Sequence, residues 1–137
     1  MRAVLDTNVL ISGIFFRGVP GQILEAWAEN RFELMFSPSI YDEYVVTCAR
    51  LSAKRPGLKY EEVLATIAGH GTLVPDTTLP ESITADPDDD KFMLCAAQTN
   101  ASVVSGDSHL HDVSGWAGIE VLRPRAFLDR LEESAAI

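Results

Sequence analysis

The chain has 137 residues, of which 47% are hydrophobic and 23% are charged, and its formal net charge is −9. These proportions are typical of a globular protein and exclude a disordered chain, and the length predicts a single domain over residues 1–137. The acidic balance argues against a general nucleic-acid coat but allows an enzyme that holds metal cations. We find no apolar run long enough to span a bilayer and no signal peptide, so we expect a cytoplasmic protein without a membrane partner.

Short apolar runs alternate with amphipathic segments along the chain. Strands are predicted at residues 3–5, 32–36, 72–74, 102–105 and 119–122. Helices are predicted to start at 9–12, to span 22–30, 38–53, 60–68, 92–99 and 108–111, and to begin again at Pro124. This alternation predicts an α/β fold, a three-layer α/β/α sandwich whose central sheet is mostly parallel.

The two cysteines predict buried free thiols. Cys48 and Cys95 each lie in a predicted helix among apolar neighbours. Because a cytoplasm keeps thiols reduced, we expect no disulfide between them.

Two of the predicted strands end at an aspartate. Asp6 follows the apolar run at 3–5, and Asp107 follows the run at 102–105. Parallel strands present their carboxyl ends at one edge of the sheet, where open α/β folds bind ligands. The pattern therefore predicts that the two carboxylates meet, although Asp6 is equally compatible with a residue that only ends its strand or caps the next helix.

An aspartate-rich segment precedes the fifth predicted helix. It reads Asp-Pro-Asp-Asp-Asp over residues 86–90, in which an aspartate cap and a proline in the first turn are ordinary helix-start signals. Three consecutive aspartates exceed what capping requires. Asp89 and Asp90 both project towards apolar helix positions, so periodicity leaves open which of them faces the other acids.

The predicted helix at 38–53 carries an acid and a basic flank. Glu43 lies just outside its apolar stripe, and Arg50 and Lys54 follow on the same side at helical spacing. This flank is either a solvated helix face or the rim of a cleft with a basic track beside it. Carboxylates that converge at one edge without a lysine would repel one another and favour Mg²⁺ or Mn²⁺, the ions suited to oxygen ligands.

Four short motifs, in this order, resemble those of PIN-domain ribonucleases, in particular the VapC-like toxins of bacterial toxin–antitoxin pairs. The motifs are Asp6-Thr7-Asn8, Glu43 in the second long helix, Asp90-Lys91-Phe92 and Ser105-Gly106-Asp107. The similarity extends over residues 2–131, nearly the whole chain. It implies a PIN-like fold for residues 1–137.

The resemblance also implies which residues form the site. By this resemblance, a catalytic acidic quartet that holds Mg²⁺ or Mn²⁺ is formed by Asp6, Glu43, Asp90 and Asp107. The resemblance selects Asp90 over Asp89. Asn8 and Ser105 match polar residues that support such a quartet. Relatives often carry an aspartate where this chain has His109, which leaves the number of metal ions open.

The implied reaction is hydrolysis of single-stranded RNA by metal-activated water, with Asn8, Ser105, Arg50 and Lys54 on the substrate side. The implied partners are the RNA, a small antitoxin protein and further copies of the chain in a homodimer or larger homo-oligomer. Two other classes are a Mg²⁺-dependent phosphotransfer or phosphatase domain and a non-catalytic PIN-like binding module. The turn after the first strand lacks the second aspartate of a dehalogenase-type phosphatase, and an intact quartet argues against a binding module.

Overall fold

A five-stranded parallel sheet forms the centre of the protein. The structure is a computed structural model and describes residues 1–57 and 59–135. The strands are β1 (Arg2–Leu5), β2 (Glu33–Phe36), β3 (Thr72–Leu73), β4 (Ser102–Val104) and β5 (Val121–Leu122), in the order β3-β2-β1-β4-β5. All four pairs of neighbouring strands are parallel, and helices flank the sheet, so the predicted α/β fold is confirmed.

Seven helices connect and flank the strands in the part of the chain that the structure describes. They are α1 (Thr7–Phe15), α2 (Gly18–Ala28), α3 (Pro38–Ser52), α4 (Glu61–His70), α5 (Asp90–Thr99), α6 (Ser108–His111) and α7 (Pro124–Ala135). Helix α2 begins at Gly18 rather than at the predicted Gln22, because Pro20 falls in its first turn, where a missing N–H costs nothing. Helix α5 begins at Asp90 rather than Phe92 and follows a 3₁₀ turn over Pro87–Asp89.

The core explains why the last three residues of β1 are all apolar. Ala3, Val4 and Leu5 are all fully buried, as expected for a central strand covered on both faces. Cys48 and Cys95 are buried free thiols, which confirms that prediction. Burial raises the pKa of Cys48 to about 11 and that of Cys95 to about 12, so both thiols stay protonated and unreactive near neutral pH.

None of the described helices has by itself both the length and the apolar composition needed to cross a membrane. Helices α1 and α2 meet both criteria only when they are taken as a pair, and that pair is bent by 94°.

The strand order reverses direction between β1 and β4. From β1 the chain adds β2 and then β3 on one side, and it then returns to place β4 on the other side of β1. The carboxyl ends of these two central strands are therefore neighbours, with Leu5 opposite Val104. Open α/β sheets have a crevice at such a topological switch point, because the connections that leave the two strands diverge.

Candidate active site

Asp6 lies at this switch point, where β1 ends and α1 begins. Its backbone N–H donates to the Val104 carbonyl at 2.9 Å, and its own carbonyl accepts from the Val9 N–H at 3.0 Å. Only 6% of the residue is exposed. The strand and the helix thus hold a carboxylate at the carboxyl edge of the sheet, out of bulk water.

Ser105 connects the ends of the two central strands. Its buried hydroxyl donates to Asp6 Oδ2 at 2.6 Å and accepts from the Asp107 backbone N–H at 2.9 Å. Asp107 then caps α6, where its Oδ1 accepts from the His109 N–H at 2.9 Å. One serine side chain therefore fixes the positions of two acids that are far apart in the sequence.

His111 supports the same strand end and was not identified from the sequence. Its Nε2 lies 2.6 Å from the carbonyl oxygen of Ser105. Because a carbonyl can only accept, Nε2 carries the proton and donates it. The one signal in the sequence was its position after Asp107 in a short helix, which does not distinguish it from a surface histidine.

The environment of Asp6 opposes ionisation of its carboxyl group. Burial raises the pKa of Asp6, and the charges of Asp107 and Glu43 raise it further. The hydrogen bond from Ser105 and the backbone N–H of Asn8 act in the opposite direction without cancelling the effect. The Asp6 carboxylate therefore lacks a positive charge that compensates for burial and for the neighbouring acids. A bound cation would supply that charge.

Asp89 is the third acid that faces this space. Partial burial, followed by the charges of Asp107 and Asp6, raises its pKa to about 6. Asp89 ends the 3₁₀ turn before α5 and is half-buried. Its carboxyl group thus lies within reach of the charges at the two strand ends.

The Asp90 carboxylate, which the family resemblance selects over Asp89, is bonded to the loop before α5, and its place in the quartet stays a prediction. Its Oδ1 accepts from the Thr84 N–H at 2.9 Å and the Thr84 hydroxyl at 2.9 Å, and its Oδ2 accepts from the Ile83 N–H at 3.1 Å. Although partial burial opposes ionisation, these bonds and one from Ser82 lower the pKa of Asp90. Its carboxylate therefore anchors the loop before α5. Asp90 lies on the side of α5 that includes the exposed Ala97.

Glu43 reaches the site from α3 but is already paired. One oxygen, Oε1, lies 2.9 Å from Lys91 Nζ, and the other accepts a hydrogen bond from the Thr7 hydroxyl. The sequence had suggested acids that converge without a lysine, and the structure corrects this. Lys91 turns back from the first turn of α5 and neutralises one of the four carboxylates.

Of the four predicted substrate-side residues, Ser105 is buried beside Asp6, and the other three are at the surface. Asn8, Arg50 and Lys54 are exposed, and Arg50 is about 10 Å beyond Glu43 along α3 at a rise of 1.5 Å per residue. At the end of this flank the Arg55 guanidinium lies 4.4 Å from the ring centroid of Phe16, a side chain with 57% of its surface exposed. A line of cations and one aromatic ring thus leads away from the acids.

The donor set fits a hard divalent cation. Carboxylates of Asp6, Asp89 and Asp107 supply oxygen atoms, which are the ligands that Mg²⁺ and Mn²⁺ prefer. Within residues 1–57 and 59–135, no group of three His, Cys, Asp or Glu side chains is arranged so that it could hold a metal ion. The charges of these acids shift the pKa values of Asp6 and Asp89, and the fit to a cation rests on the chemistry of their oxygen atoms.

The fold and this acidic group define a parallel α/β protein whose polar site lies at its topological switch point. The PIN domain family matches residues 2–109, and the chain belongs to that family. PIN domains are generally nucleases, a class of hydrolase.

Two similar proteins extend the comparison beyond the family match. An uncharacterized protein of Methanocaldococcus jannaschii, MJ1680, is 30% identical, over 97% of this chain and 93% of its own length. The fold is also similar to that of a chain in the crystal structure of VapBC2 from Rickettsia felis bound to a DNA fragment from its promoter. That match has a TM-score of 0.56 and 13% identity, and it covers 90% of this chain and 98% of the other.

Proposed function

We propose that this chain is a Mg²⁺- or Mn²⁺-dependent endoribonuclease that hydrolyses single-stranded RNA, acting in the cytoplasm as the toxin of a toxin–antitoxin pair. The observation that carries the proposal is that Asp6 and Asp107 are bridged by Ser105 at the switch point, with Asp89 within reach of their charges. These acids come from three separate elements, and two of them have raised pKa values. A fold maintains such repulsion at a cost, which a functional cation would offset.

The three facing carboxylates would hold the metal ion. When bound, a divalent ion supplies Lewis acidity that activates water and offsets charge on a phosphodiester. Ser105 would keep Asp6 oriented through its 2.6 Å hydrogen bond. A catalytic role for Asp90 stays a prediction, and the geometry favours Asp89 in its place.

Binding of RNA to a chain of net charge −9 requires local attraction. Arg50, in the last turn of α3, and Lys54, just beyond the end of that helix, would contact phosphates, because both are exposed and follow Glu43 along the chain. Asn8, exposed at the start of α1, would contact the substrate close to the metal. The polymer would then lie across α3, with its scissile phosphate at the switch point.

Further proposals concern the assembly. Similarity in fold to a VapBC2 chain supports a small antitoxin protein as partner. We also propose a homodimer or larger homo-oligomer as the working form, on the family resemblance alone. We also propose that residues 1–137 act as one domain. The Phe127 ring of α7, beyond the family match, packs edge-on against Phe32 with ring centroids 5.1 Å apart.

Cleavage of a defined RNA tests the proposal. Purified protein with Mn²⁺ should cut an end-labelled, unstructured RNA internally, and EDTA should stop the reaction. Asp6→Asn should abolish cutting, whereas Asp42→Asn, the same change at an exposed position of α3, should retain it. Labelling of Asp6 by acetyl phosphate without RNA cleavage would instead indicate a phosphotransfer enzyme. RNA binding without cutting under every metal condition would indicate a binding module.

A further inference from the structure

Lys91 is a cation built into the edge of the acidic group. Its Nζ lies 2.9 Å from Glu43 Oε1, donates a hydrogen bond to the Asp88 carbonyl, and lies 5.1 Å from the ring centroid of Phe92. Only 17% of the side chain is exposed. The ammonium is thus held on three sides by a carboxylate, a carbonyl and an aromatic face, each of which attracts positive charge.

Glu43 differs from the other acids in its partners. Both of its oxygens are engaged, one by Lys91 and one by the Thr7 hydroxyl. In the described residues, no lysine or arginine forms an ion pair with Asp6, Asp89 or Asp107. Lys91 is therefore in direct contact with Glu43, while its charge acts on Asp89 from a greater distance.

We propose that the Lys91 ammonium occupies the place of a second cation, so that the site binds one divalent ion, at Asp6, Asp89 and Asp107. The inference rests on the proposed function, since it concerns the metal ion of that same site. A metal ligated by Glu43 would need an oxygen of that residue at about 2.1 Å. An ammonium held 2.9 Å from the same carboxylate repels a dication there and occupies the approach to it.

Lys91 is accordingly a positioning residue that acts through Glu43. It holds the Glu43 carboxylate of α3 in an ion pair with α5. This carboxylate is then not available as a ligand for a metal ion at the other three acids. Without the ammonium, Glu43 would retain the Thr7 hydroxyl and expose an unpaired carboxylate next to Asp6, whose pKa already responds to its charge. That arrangement would attract a second ion.

The stoichiometry of Mn²⁺ binding tests this without any activity measurement. The free ion is counted by electron paramagnetic resonance during titration of wild type, Lys91→Met, Lys91→Arg and Lys59→Met. Methionine retains an unbranched side chain without the charge, arginine retains the charge, and Lys59→Met makes the same substitution at an exposed position. We expect one ion per chain in wild type, Lys91→Arg and Lys59→Met, and two in Lys91→Met.

The double variant Glu43→Gln/Lys91→Met gives a second measurement, because it removes both members of the ion pair and leaves no uncompensated ammonium beside the site. If Glu43 is not a ligand, this change should leave one ion bound with an affinity within about threefold of wild type. A tenfold or greater loss of affinity would make Glu43 a ligand and overturn the inference. Two ions in wild type, or one ion in a folded Lys91→Met variant, would overturn it as well. Absence of Mn²⁺ binding in wild type would overturn the metal-dependent nuclease too.

Discussion

Substitution of Asp89 and Asp90, one at a time, separates the roles of two adjacent carboxylates. Asp89→Asn removes a charge that faces Asp6 and Asp107, whereas Asp90→Asn removes an acceptor that anchors the loop before α5. The two variants have the same composition and net charge. Any difference between them therefore reports position alone.

Asp89→Asn should stabilise the metal-free protein at pH 7. A carboxyl group whose pKa rises on folding from 3.8 to about 6 holds its proton more tightly in the folded state. Folded wild type therefore loses stability as the pH rises through that interval, and it carries the full penalty above it. A shift of this size corresponds to about 3 kcal/mol, which solvent screening of a partly exposed group reduces to about 1 kcal/mol. The variant should gain about that amount and lose this part of the pH dependence.

Asp90→Asn should destabilise the protein instead. An amide in this position retains one oxygen acceptor, and its NH₂ group would face the N–H of Ile83 or Thr84. Loss of one charge-assisted hydrogen bond, discounted for partial exposure, costs about 1–2 kcal/mol. Because the carboxylate does not face Asp6, Mn²⁺ affinity and RNA cutting should persist.

Urea unfolding in EDTA at pH 5 and pH 7, followed by Mn²⁺ titration of the same samples, measures both quantities. The expected pattern is a more stable Asp89→Asn without tight Mn²⁺ binding and a less stable Asp90→Asn with wild-type binding. The opposite pattern would return Asp90 to the quartet that the family resemblance implies, and it would refute the geometric reasoning.

Three further results are expected. Millimolar Mn²⁺ should raise the Tm of wild type by roughly 5–10 °C, and Asp6→Asn should lose most of that rise. Identical melting of wild type in EDTA and in Mn²⁺ would exclude a metal site. In an Asp6→Asn background that prevents cleavage, Arg50→Glu/Lys54→Glu should weaken RNA binding. The slope of the logarithm of the binding constant against the logarithm of the salt concentration should fall by about 0.7 per lost phosphate contact. Equal slopes would show that these two residues only form a solvated surface. His111→Gln, which retains a donor near the position of Nε2, should preserve Mn²⁺ affinity, while the shorter His111→Asn should lower it by about tenfold; equal affinities would exclude a positioning role.

The two strand-end acids were accessible to sequence reasoning because their positions depend on one local rule. A buried strand in a parallel sheet ends at the same edge as its neighbours, so Asp6 and Asp107 had to emerge close together once β1 and β4 were adjacent. The structure adds the hydroxyl of Ser105, which bonds to both residues. Here the local pattern and the tertiary arrangement agree.

The choice between Asp89 and Asp90 was not accessible in the same way. A 3₁₀ turn over Pro87–Asp89 precedes α5, so a period of 3.6 residues cannot be extended back from the helix with certainty. Ala96 and Ala97 are equally apolar in the sequence, yet Ala96 is buried and Ala97 is exposed. Only packing against the sheet distinguishes the two faces.

The ion pair of Lys91 was missed for a related reason. A lysine in the first turn of a helix indicates a polar face, and nothing local shows that its side chain ends at another helix. Its contact with Glu43 depends on how α5 lies against α3, a tertiary arrangement that amphipathic periodicity does not specify. A long side chain near a helix start, such as that of Lys91, thus ends at a neighbouring helix instead of in solvent.

The position of β1 between β2 and β4 has a consequence for synthesis. Its second edge stays open until β4 has been translated, and the hydrogen bond from Ser105 to Asp6 joins residues separated by 99 positions. Such non-local closure is slow compared with the formation of local helices. For the proposed nuclease, a nascent chain on the ribosome would be harmless to the RNA around it until Asp107 has emerged and β4 has docked. Premature termination before that point would release a fragment without a cutting site.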